Sequence, residues 1–287
     1  MFPKPNYITQ KSLQLFISSA LKEDIQTGDH SSMATLPDDL VQKAKLLVKE
    51  DCILAGIDLA IEIFYFYDND LKIEKLMKDG ETAKVGDIAF YVTGKARSIL
   101  STERLVLNCM QRMSGIATLT HEMMQEIKGT HCKLLDTRKT TPNFRLCEKW
   151  AILIGGGMNH RFGLYDMIML KDNHIDFSGG ITKAVERTKK YLQENNLNLK
   201  IEVETRNLDE VKEALDCSID RIMLDNMPIE IMTEAVKLIN KKSETEASGG
   251  ITKSTLRKIA ETGVDYISMG ALTHSAKNID LSLKAIK

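Results

Sequence analysis

The sequence has no apolar run long enough to cross a membrane and no pair of cysteines spaced to hold a metal. No stretch of its 287 residues approaches the roughly 18 apolar residues of a membrane span. The N-terminus also lacks the apolar core of a signal peptide. The five cysteines are scattered, without a C-x-x-C pair, which disfavours disulfide and zinc frameworks. We therefore expect reduced thiols in a cytoplasmic protein that has no membrane partner.

An excess of either charge is also lacking. Lys and Arg number 39, Asp and Glu number 40, and the net charge is -1. So balanced a chain is not a bulk binder of nucleic acid or of membrane surfaces. An anionic partner must therefore be met by a local cluster of basic residues. The G-x-G-x-x-G fingerprint of a dinucleotide-binding fold is absent as well.

The length of the chain predicts about two domains, at roughly 150 residues each. In the first part, short strands come in a run with helices beside them, which predicts an α+β sandwich. A long helical pattern follows, with Ser101 as its predicted cap, and runs to about Ile127. We place the N-terminal domain at 1–114 and the second domain at 115–274, and we expect the tail, 275–287, to join the first.

After residue 132 the pattern changes to short apolar strands that alternate with helical stretches. The six predicted strands are 133–136, 167–170, 200–204, 221–225, 245–248 and 266–269. Six β-α units in succession imply a parallel sheet with helical crossovers. Because no dinucleotide fingerprint is present, we favour a closed or nearly closed α/β barrel over a doubly wound sheet.

The residues at the ends of these strands carry the candidate chemistry, since functional side chains of α/β barrels lie at the carboxyl ends of the strands. In chain order they are Thr137, Arg138 and Lys139; Lys171; Glu204; Asp225; Ser248, Gly249 and Gly250; and Gly270. Asp, Asn and Gly also end strands for purely structural reasons. That explanation does not extend to Arg138, Lys139 and Lys171, because Arg and Lys are poor turn residues.

Basic residues therefore converge on one end of the predicted barrel. His160 and Arg161 add to them from the loop after the triple glycine at 155–157. A single such residue is best read as a solvated loop charge, but the joint placement predicts a site for a small anion with more than one charge. Ser248, Gly249 and Gly250 precede a helix that starts near Thr252, an arrangement that suits phosphate.

Glu204 and Asp225 are the acids on neighbouring strand ends. With phosphate nearby, they are candidates to hold Mg²⁺, directly or through water. The alternative is that they pair with Lys171 or Lys139 and keep the empty site neutral. The sequence favours neither the metal role nor the charge-balancing role for either residue. Glu202 lies two positions before Glu204 and shares its face of the strand, without a clear role.

Nine motifs together resemble the quinolinate phosphoribosyltransferase family. They are DTRKTTP at 136–142, GGGMNHRFGL at 155–164, KDNH at 171–174, IEVE at 201–204, LDN at 224–226, EASGGIT at 246–252, ISMGALTH at 267–274, ERLVLN at 103–108, and ED with GD at 23–24 and 28–29. They occur in order over nearly the whole chain. The acidic Thr-Thr-Gly motif of type I phosphoribosyltransferases is absent.

The resemblance implies an N-terminal sandwich, a barrel of fewer than eight strands, and transfer of phosphoribosyl from PRPP to quinolinate with loss of CO₂. It implies Mg²⁺ as cofactor and a homodimer, and leaves open a hexamer of dimers. Arg104 is implied to enter the partner's site; an intrahelical pair with Asn108 or a nearby acid is the alternative.

By the same resemblance, the catalytic residues are Lys139, Lys171, Glu204 and Asp225, and the last two hold the metal. The implied substrate-binding residues are Arg104, Thr137, Arg138, Lys139, His160, Arg161, Lys171, Glu204, Asp225, Ser248, Gly249, Gly250 and Gly270. Lys139 and Lys171 are alternative stabilisers of the carbanion left by CO₂. Two rival functions remain: a molybdenum-linked enzyme on the same scaffold with a different substrate, and a non-catalytic sensor of a phosphate ligand.

Overall fold

A computed structural model describes residues 4–286. The elements of the first half are α1 (Gln10–Ile25), α2 (His30–Thr35), β1 (Val41–Val48), β2 (Cys52–Ile53), α3 (Ile57–Tyr67), β3 (Lys72–Lys75), β4 (Thr82–Ala83), β5 (Ile88–Lys95), α4 (Ala96–Glu126), β6 (Lys133–Leu135) and α5 (Arg145–Ile154). Those of the second half are β7 (Ile168–Leu170), α6 (Asp172–Ser178), α7 (Ile181–Glu194), β8 (Ile201–Thr205), α8 (Leu208–Asp216), β9 (Arg221–Asp225), α9 (Ile229–Ile239), β10 (Glu244–Ser248), α10 (Lys253–Ala260), β11 (Tyr266–Ser268), α11 (Ala271–His274) and β12 (Leu281–Ala285).

The first compact unit contains a four-stranded antiparallel sheet in the order β12-β1-β5-β3. Ala44, Leu46 and Val48 alternate along β1 and are buried, while the residues between them are more exposed. This period of two is what a strand needs when one face lies on a core. The last strand of the chain, β12, pairs with β1, so the tail completes this sheet.

The second compact unit contains a six-stranded parallel sheet in the order β6-β11-β10-β9-β8-β7. The first strand, β6, is hydrogen-bonded to the last, β11, whereas β7 to β11 follow one another in sequence. A first strand can reach the last in such a series when the sheet curls back on itself. The predicted fold class, an N-terminal α+β unit followed by an α/β barrel of fewer than eight strands, is confirmed.

The other edge of β6 is paired by a loop instead of a strand. The Met158 amide donates to the Leu134 carbonyl at 2.8 Å, and the Asp136 amide donates to the Met158 carbonyl at 3.2 Å. These two bonds hold residue 158 along the edge of β6 that β11 leaves open. The loop that carries His160 and Arg161 therefore starts from a fixed point beside the first strand.

The compact units are composed differently from the two sequence-based domains. Residues 140–156 and those up to His121 belong to the first unit, together with residues from Leu272 onward; the second unit is Glu122–Lys139 and Gly157–Ala271. The boundary predicted after residue 114 falls inside α4, which is one unbroken helix. This helix begins at Ala96, so Ser101 lies inside it and is not its cap.

A buried ion pair fixes α5 within the first unit. The carboxylate of Glu148, fully buried, accepts from Arg112 Nε at 3.0 Å and from the Thr141 amide at 3.0 Å. The Arg112 guanidinium also donates to the carbonyls of Thr273 and Ala276. Four chain segments are thereby held by two side chains. No helix among residues 4–286 has the length and apolar character that a membrane crossing requires.

Candidate active site

The carboxyl end of β6 is tied to the loop that follows Met158. Asp136, fully buried, accepts the His160 amide at 2.8 Å and the Asn159 side-chain amide at 2.8 Å. The next residues turn outward: Thr137 and Arg138 are half-buried and Lys139 is exposed. The Lys139 amide donates to Thr137 Oγ1 at 3.0 Å, which shapes this turn.

Arg161 is a predicted basic residue whose guanidinium is held by contacts within its own loop. It is half-buried, and its Nη1 donates to the Met167 carbonyl at 3.2 Å. Burial lowers the pKa of this guanidinium, and the nearby positive charge of Arg138 lowers it further. Two neighbouring guanidiniums that repel each other are stabilised when an anion binds between them. The pair is therefore suited to a ligand with carboxylates.

Lys171 and Glu204 form an ion pair at the ends of β7 and β8. Lys171 Nζ lies 2.8 Å from Glu204 Oε2, and the Glu204 side chain is only 10% exposed, against 46% for Lys171. This contact is the charge-balancing arrangement that the sequence left open for Glu204. It still leaves the second carboxylate oxygen and the mobile ammonium group available to a ligand.

Asp225 has a different environment at the end of β9. It accepts a hydrogen bond from a neutral group, the Asn226 side-chain amide, which donates to Asp225 Oδ2 at 2.7 Å. The ion pair with Lys171 is formed by Glu204 and not by Asp225. Asp225 also lies opposite Ser248 of β10 in the sheet register. The two strand ends thus bring an acid beside the glycine turn.

In the Ser248-Gly249-Gly250 turn, the Asn226 side chain occupies the space that a Cβ on Gly249 would fill. A Cβ on Gly249 would lie 2.3 Å from Asn226 Oδ1, and both glycines have positive φ, +93° and +60°. The helix α10 begins directly after, with Thr252 as its N-cap. Gly270, half-exposed, follows β11 on the same edge of the sheet. Glycines of positive φ directly before a helix N-terminus present backbone N–H groups that suit a phosphate group.

Arg104 lies in the first unit, near the start of α4, and is exposed. Its side chain makes no hydrogen bond or ion pair with residues 4–286. The intrahelical pair with Asn108 or a nearby acid, the structural alternative, is therefore not formed. Burial raises the pKa of the adjacent Glu103, and the positive charge of Arg104 partly offsets that rise. Its guanidinium is available to a group outside this chain.

His160 differs from its expected place among the basic residues of the barrel mouth. Its side chain is 5% exposed, and Nε2 lies 3.0 Å from Glu202 Oε2 and 3.4 Å from Glu246 Oε2. Burial lowers the pKa of His160 and the two carboxylates raise it, so the carboxylates favour a proton on Nε2. The Arg161 amide donates to Nδ1 at 2.6 Å and so opposes a second proton there, which leaves a neutral ring with its proton on Nε2.

Glu246 and Arg221 are residues that the sequence reasoning missed. Arg221 Nη1 lies 2.9 Å from Glu246 Oε2, and Glu246, like Glu202, is fully buried. Their signal was present: a charged residue two or four positions before a predicted site residue on an apolar strand shares that residue's face. What the pattern could not give is the set of cross-strand partners.

Two groups of side chains offer ligand atoms for a cation. One atom each from His160, Glu202 and Glu246 lies within 4.8 Å of the others. Arg221 already pairs with Glu246, and Nε2 of His160 faces both acids, so this group is a buried network of charged and polar side chains. Glu204 and Asp225 are the better fit to Mg²⁺, because carboxylate oxygens at an open strand edge leave positions for water and for phosphate oxygens.

Two family models match almost the entire chain. The Quinolinate phosphoribosyl transferase N-terminal domain matches residues 29–114, and the corresponding C-terminal domain matches residues 116–284. Among curated proteins, the chloroplastic nicotinate-nucleotide pyrophosphorylase [carboxylating] of Arabidopsis thaliana is 49% identical over 98% of this chain and 85% of its own length. A probable enzyme of the same name from Bacillus subtilis is 40% identical, over 94% and 92%.

Solved structures agree with these matches. The chain resembles the crystal structure of NadC from Streptococcus pyogenes with a TM-score of 0.91 and 38% identity, over 98% of this chain and 99% of that one. The nicotinate-nucleotide pyrophosphorylase of Francisella tularensis gives a TM-score of 0.90 at 40% identity, over 98% of each chain.

Proposed function

The chain belongs to the quinolinate phosphoribosyl transferase family, and from this premise we propose how its side chains carry out the family's reaction. The chain transfers the phosphoribosyl group of PRPP to quinolinate with loss of CO₂, giving nicotinate mononucleotide and pyrophosphate. This is a step of de novo NAD biosynthesis. The observation that carries the assignment is the joint placement of Arg138, Arg161, Lys171 and Glu204 at one end of the parallel sheet.

The test of this function is a product assay. Release of pyrophosphate and CO₂ should require quinolinate and PRPP together, and nicotinate should not replace quinolinate. Activity with nicotinate in place of quinolinate would favour the rival enzyme on the same scaffold. A non-catalytic phosphate sensor would release neither product, and it has no need of Arg104, Lys139 and Glu204 together.

In this proposal, Arg138 and Arg161 bind the two carboxylates of quinolinate. A guanidinium offers two parallel donors to a carboxylate, and the contact is strong in a partly dry site. The repulsion between the two guanidiniums supports the assignment, because the substrate dianion relieves it. His160 contributes through the Arg161 amide, and Thr137 shapes the turn that carries Arg138.

We expect Arg138→Ala and Arg161→Ala each to weaken quinolinate binding by more than about tenfold, as for the loss of a charge-assisted contact. PRPP binding should change much less. Calorimetric titration with each substrate measures both, with the exposed Arg187→Ala on α7 as the matched control. Unchanged quinolinate affinity in both site variants would reject the assignment.

Mg²⁺ bound by Glu204 and Asp225 would supply positive charge that stabilises the pyrophosphate leaving group. The protein groups do the rest: the two acids face the positive charge that develops on the ribose ring, and Ser248, Gly249, Gly250 and Gly270 hold phosphate oxygens. Once the pyridine nitrogen bonds to ribose, the ring withdraws electrons from the adjacent carboxylate. Lys139 or Lys171 then stabilises the carbanion left at that carbon.

Neutralising the two acids tests their role against simple charge balance. Glu204→Gln and Asp225→Asn should each lower turnover by about 100-fold, the cost of removing one electrostatic group that acts in the transition state. Quinolinate affinity should stay within about twofold in both. Steady-state kinetics over a range of Mg²⁺ concentrations is the measurement. Were only Glu204→Gln to reduce turnover, the pairing of Glu204 with Lys171 would be its function, and the metal role would fail.

We further propose that the enzyme is a homodimer in which Arg104 enters the partner's site, since this guanidinium is exposed and forms no hydrogen bond or ion pair with residues 4–286. A cytoplasmic location is supported by the five free cysteines, four of them buried. The plant relatives are named chloroplastic or mitochondrial, so location differs within the family.

A further inference from the structure

We propose that Glu202 and Glu246 are positioning residues for quinolinate binding, acting through His160 on Arg161. The carboxylates of the two buried acids orient the imidazole through its Nε2. The imidazole in turn fixes, through Nδ1, the main chain from which the Arg161 side chain projects. The inference rests on the proposed contact between Arg161 and quinolinate. It gives a function to a set of charged side chains that the reaction itself does not touch.

The first step is the orientation of the His160 imidazole by two carboxylates. Glu202 and Glu246 come from different strands, β8 and β10, and both approach the same nitrogen, Nε2, at 3.0 and 3.4 Å. Both carboxylates are fully buried, and the ring is 5% exposed. Neither contact has the alignment of a hydrogen bond, but in a low-dielectric interior the charge of two carboxylates attracts the Nε2 proton and favours one orientation of the ring. The ring cannot turn away without leaving a buried charge unpaired.

The second step is the anchoring of the acids themselves. Arg221 Nη1 lies 2.9 Å from Glu246 Oε2, and its guanidinium lies 4.1 Å from the centre of the Tyr266 ring. Arg221 also contacts Glu244, at 3.0 Å. The guanidinium therefore supplies the positive charge that Glu244 and Glu246 require. Its contact with Glu246 also fixes the position of that side chain beside His160.

The third step connects the imidazole to the substrate-binding loop. Nδ1, the ring nitrogen opposite Nε2, accepts the Arg161 amide at 2.6 Å, while the His160 amide donates to Asp136 at 2.8 Å. The peptide between His160 and Arg161 is thus fixed at one end by a strand residue and at the other by the ring. A rotated ring releases the Arg161 amide and lets its guanidinium shift.

A role in stability alone is a weak explanation for these charges. Buried ion pairs cost about as much to desolvate as their attraction returns, and apolar residues of similar volume commonly replace them without loss. The opposite face of the same three strands is packed with such residues, among them Val203, Ile222 and Ala247. Orientation of one imidazole is something that apolar packing does not provide.

The test compares Glu202→Gln and Glu246→Gln with Glu244→Gln. Glu244 lies on β10 two residues from Glu246 and shares the contact with Arg221, but it does not contact His160. We expect the first two variants to raise the KM for quinolinate about tenfold, as for a misplaced binding group, with the KM for PRPP within about twofold. Glu244→Gln should leave both constants within about twofold even if it lowers Tm.

A double-mutant cycle identifies the route of the effect. His160→Asn keeps an acceptor near the Nδ1 position and removes Nε2, so adding Glu202→Gln should raise the KM for quinolinate by less than about twofold more. Additive effects would mean that the acids do not act through His160, and would overturn the proposal. So would a rise in KM that simply follows Tm across all three Glu→Gln variants.

The Arg161→Ala variant separates this proposal from the function it rests on. If Arg161→Ala weakens quinolinate binding but Glu202→Gln and Glu246→Gln do not, only the positioning role is wrong. If Arg161→Ala has no effect, both are overturned. Should one Glu→Gln variant fail to fold, the other decides, since the proposal requires both acids; should both fail, Glu202→Asp, which withdraws the carboxylate from Nε2, carries the same expectation.

Discussion

A mixture of inactive Arg104→Ala chains and inactive Lys139→Ala chains should regain about a quarter of wild-type activity. If each site combines one chain's barrel with the partner's Arg104, a hybrid dimer contains one site built wholly from wild-type residues, while its other site carries both defects. Random reassortment makes about half of the dimers hybrid, and half of their sites work, which follows from two-fold symmetry. Each variant alone should have almost no activity, because it lacks a charged group at every site.

A second mixture provides the control. Arg138→Ala and Lys139→Ala both alter the second compact unit, at adjacent positions after β6. Every site in their hybrid therefore keeps one defect, and no activity should return. Exchange of subunits must be verified by mass, for instance with one chain labelled. If exchange is complete and the first mixture stays inactive, Arg104 acts within its own chain or not at all.

Gly249→Ala should disable the phosphate turn and destabilise the barrel by about 3 kcal/mol, the combined cost of a left-handed backbone and an overpacked side chain. At this position φ is +93°, and the new Cβ would meet Asn226 Oδ1 at 2.3 Å. To make room, Asn226 must leave its place between Asp225 and the turn. We therefore expect the KM for PRPP to rise by more than about tenfold, with a smaller change for quinolinate.

Gly263→Ala is the matched control for backbone strain. Gly263 has the same φ, +93°, but its nearest neighbour would be Val236 Cγ1 at 3.4 Å, an ordinary contact. Its substitution should cost about 1 kcal/mol and leave the kinetics unchanged. Chemical denaturation measures the stability of both variants. Equal losses in the two would show that the close approach of Asn226 has no energetic consequence.

The sequence predicted most of the fold because its strands are short, apolar and punctuated. The strand predicted at 221–225 coincides with β9, and the other five agree within one residue at each end. Helix starts were less predictable, because several hydroxyl side chains compete for the capping position. Ser101 is predicted as the cap of the long helix, but α4 begins at Ala96, and Ser101 lies inside it.

The positions of the candidate site residues were predictable where each residue lies at the end of its own strand. Lys171, Glu204 and Asp225 could be named from strand periodicity alone. The surroundings of His160 could not, because its partners, Glu202 and Glu246, come from strands much later in the chain. Their meeting depends on sheet register and on the path of the loop after Met158, which are long-range properties. The same holds for Asn226, whose fit beneath Gly249 exists only once two strands are aligned.

The pairing of early strands with late ones has a consequence for synthesis on the ribosome. Strand β1 pairs on one edge with β12, and β6 pairs with β11. Neither sheet is therefore complete until nearly the entire chain has been made. A nascent chain therefore exposes strand edges for as long as translation continues. Contacts of such long sequence separation also slow folding after release. A chain cut short before residue 281 would leave the edge of β1 open to other chains, which makes premature termination a route to aggregation.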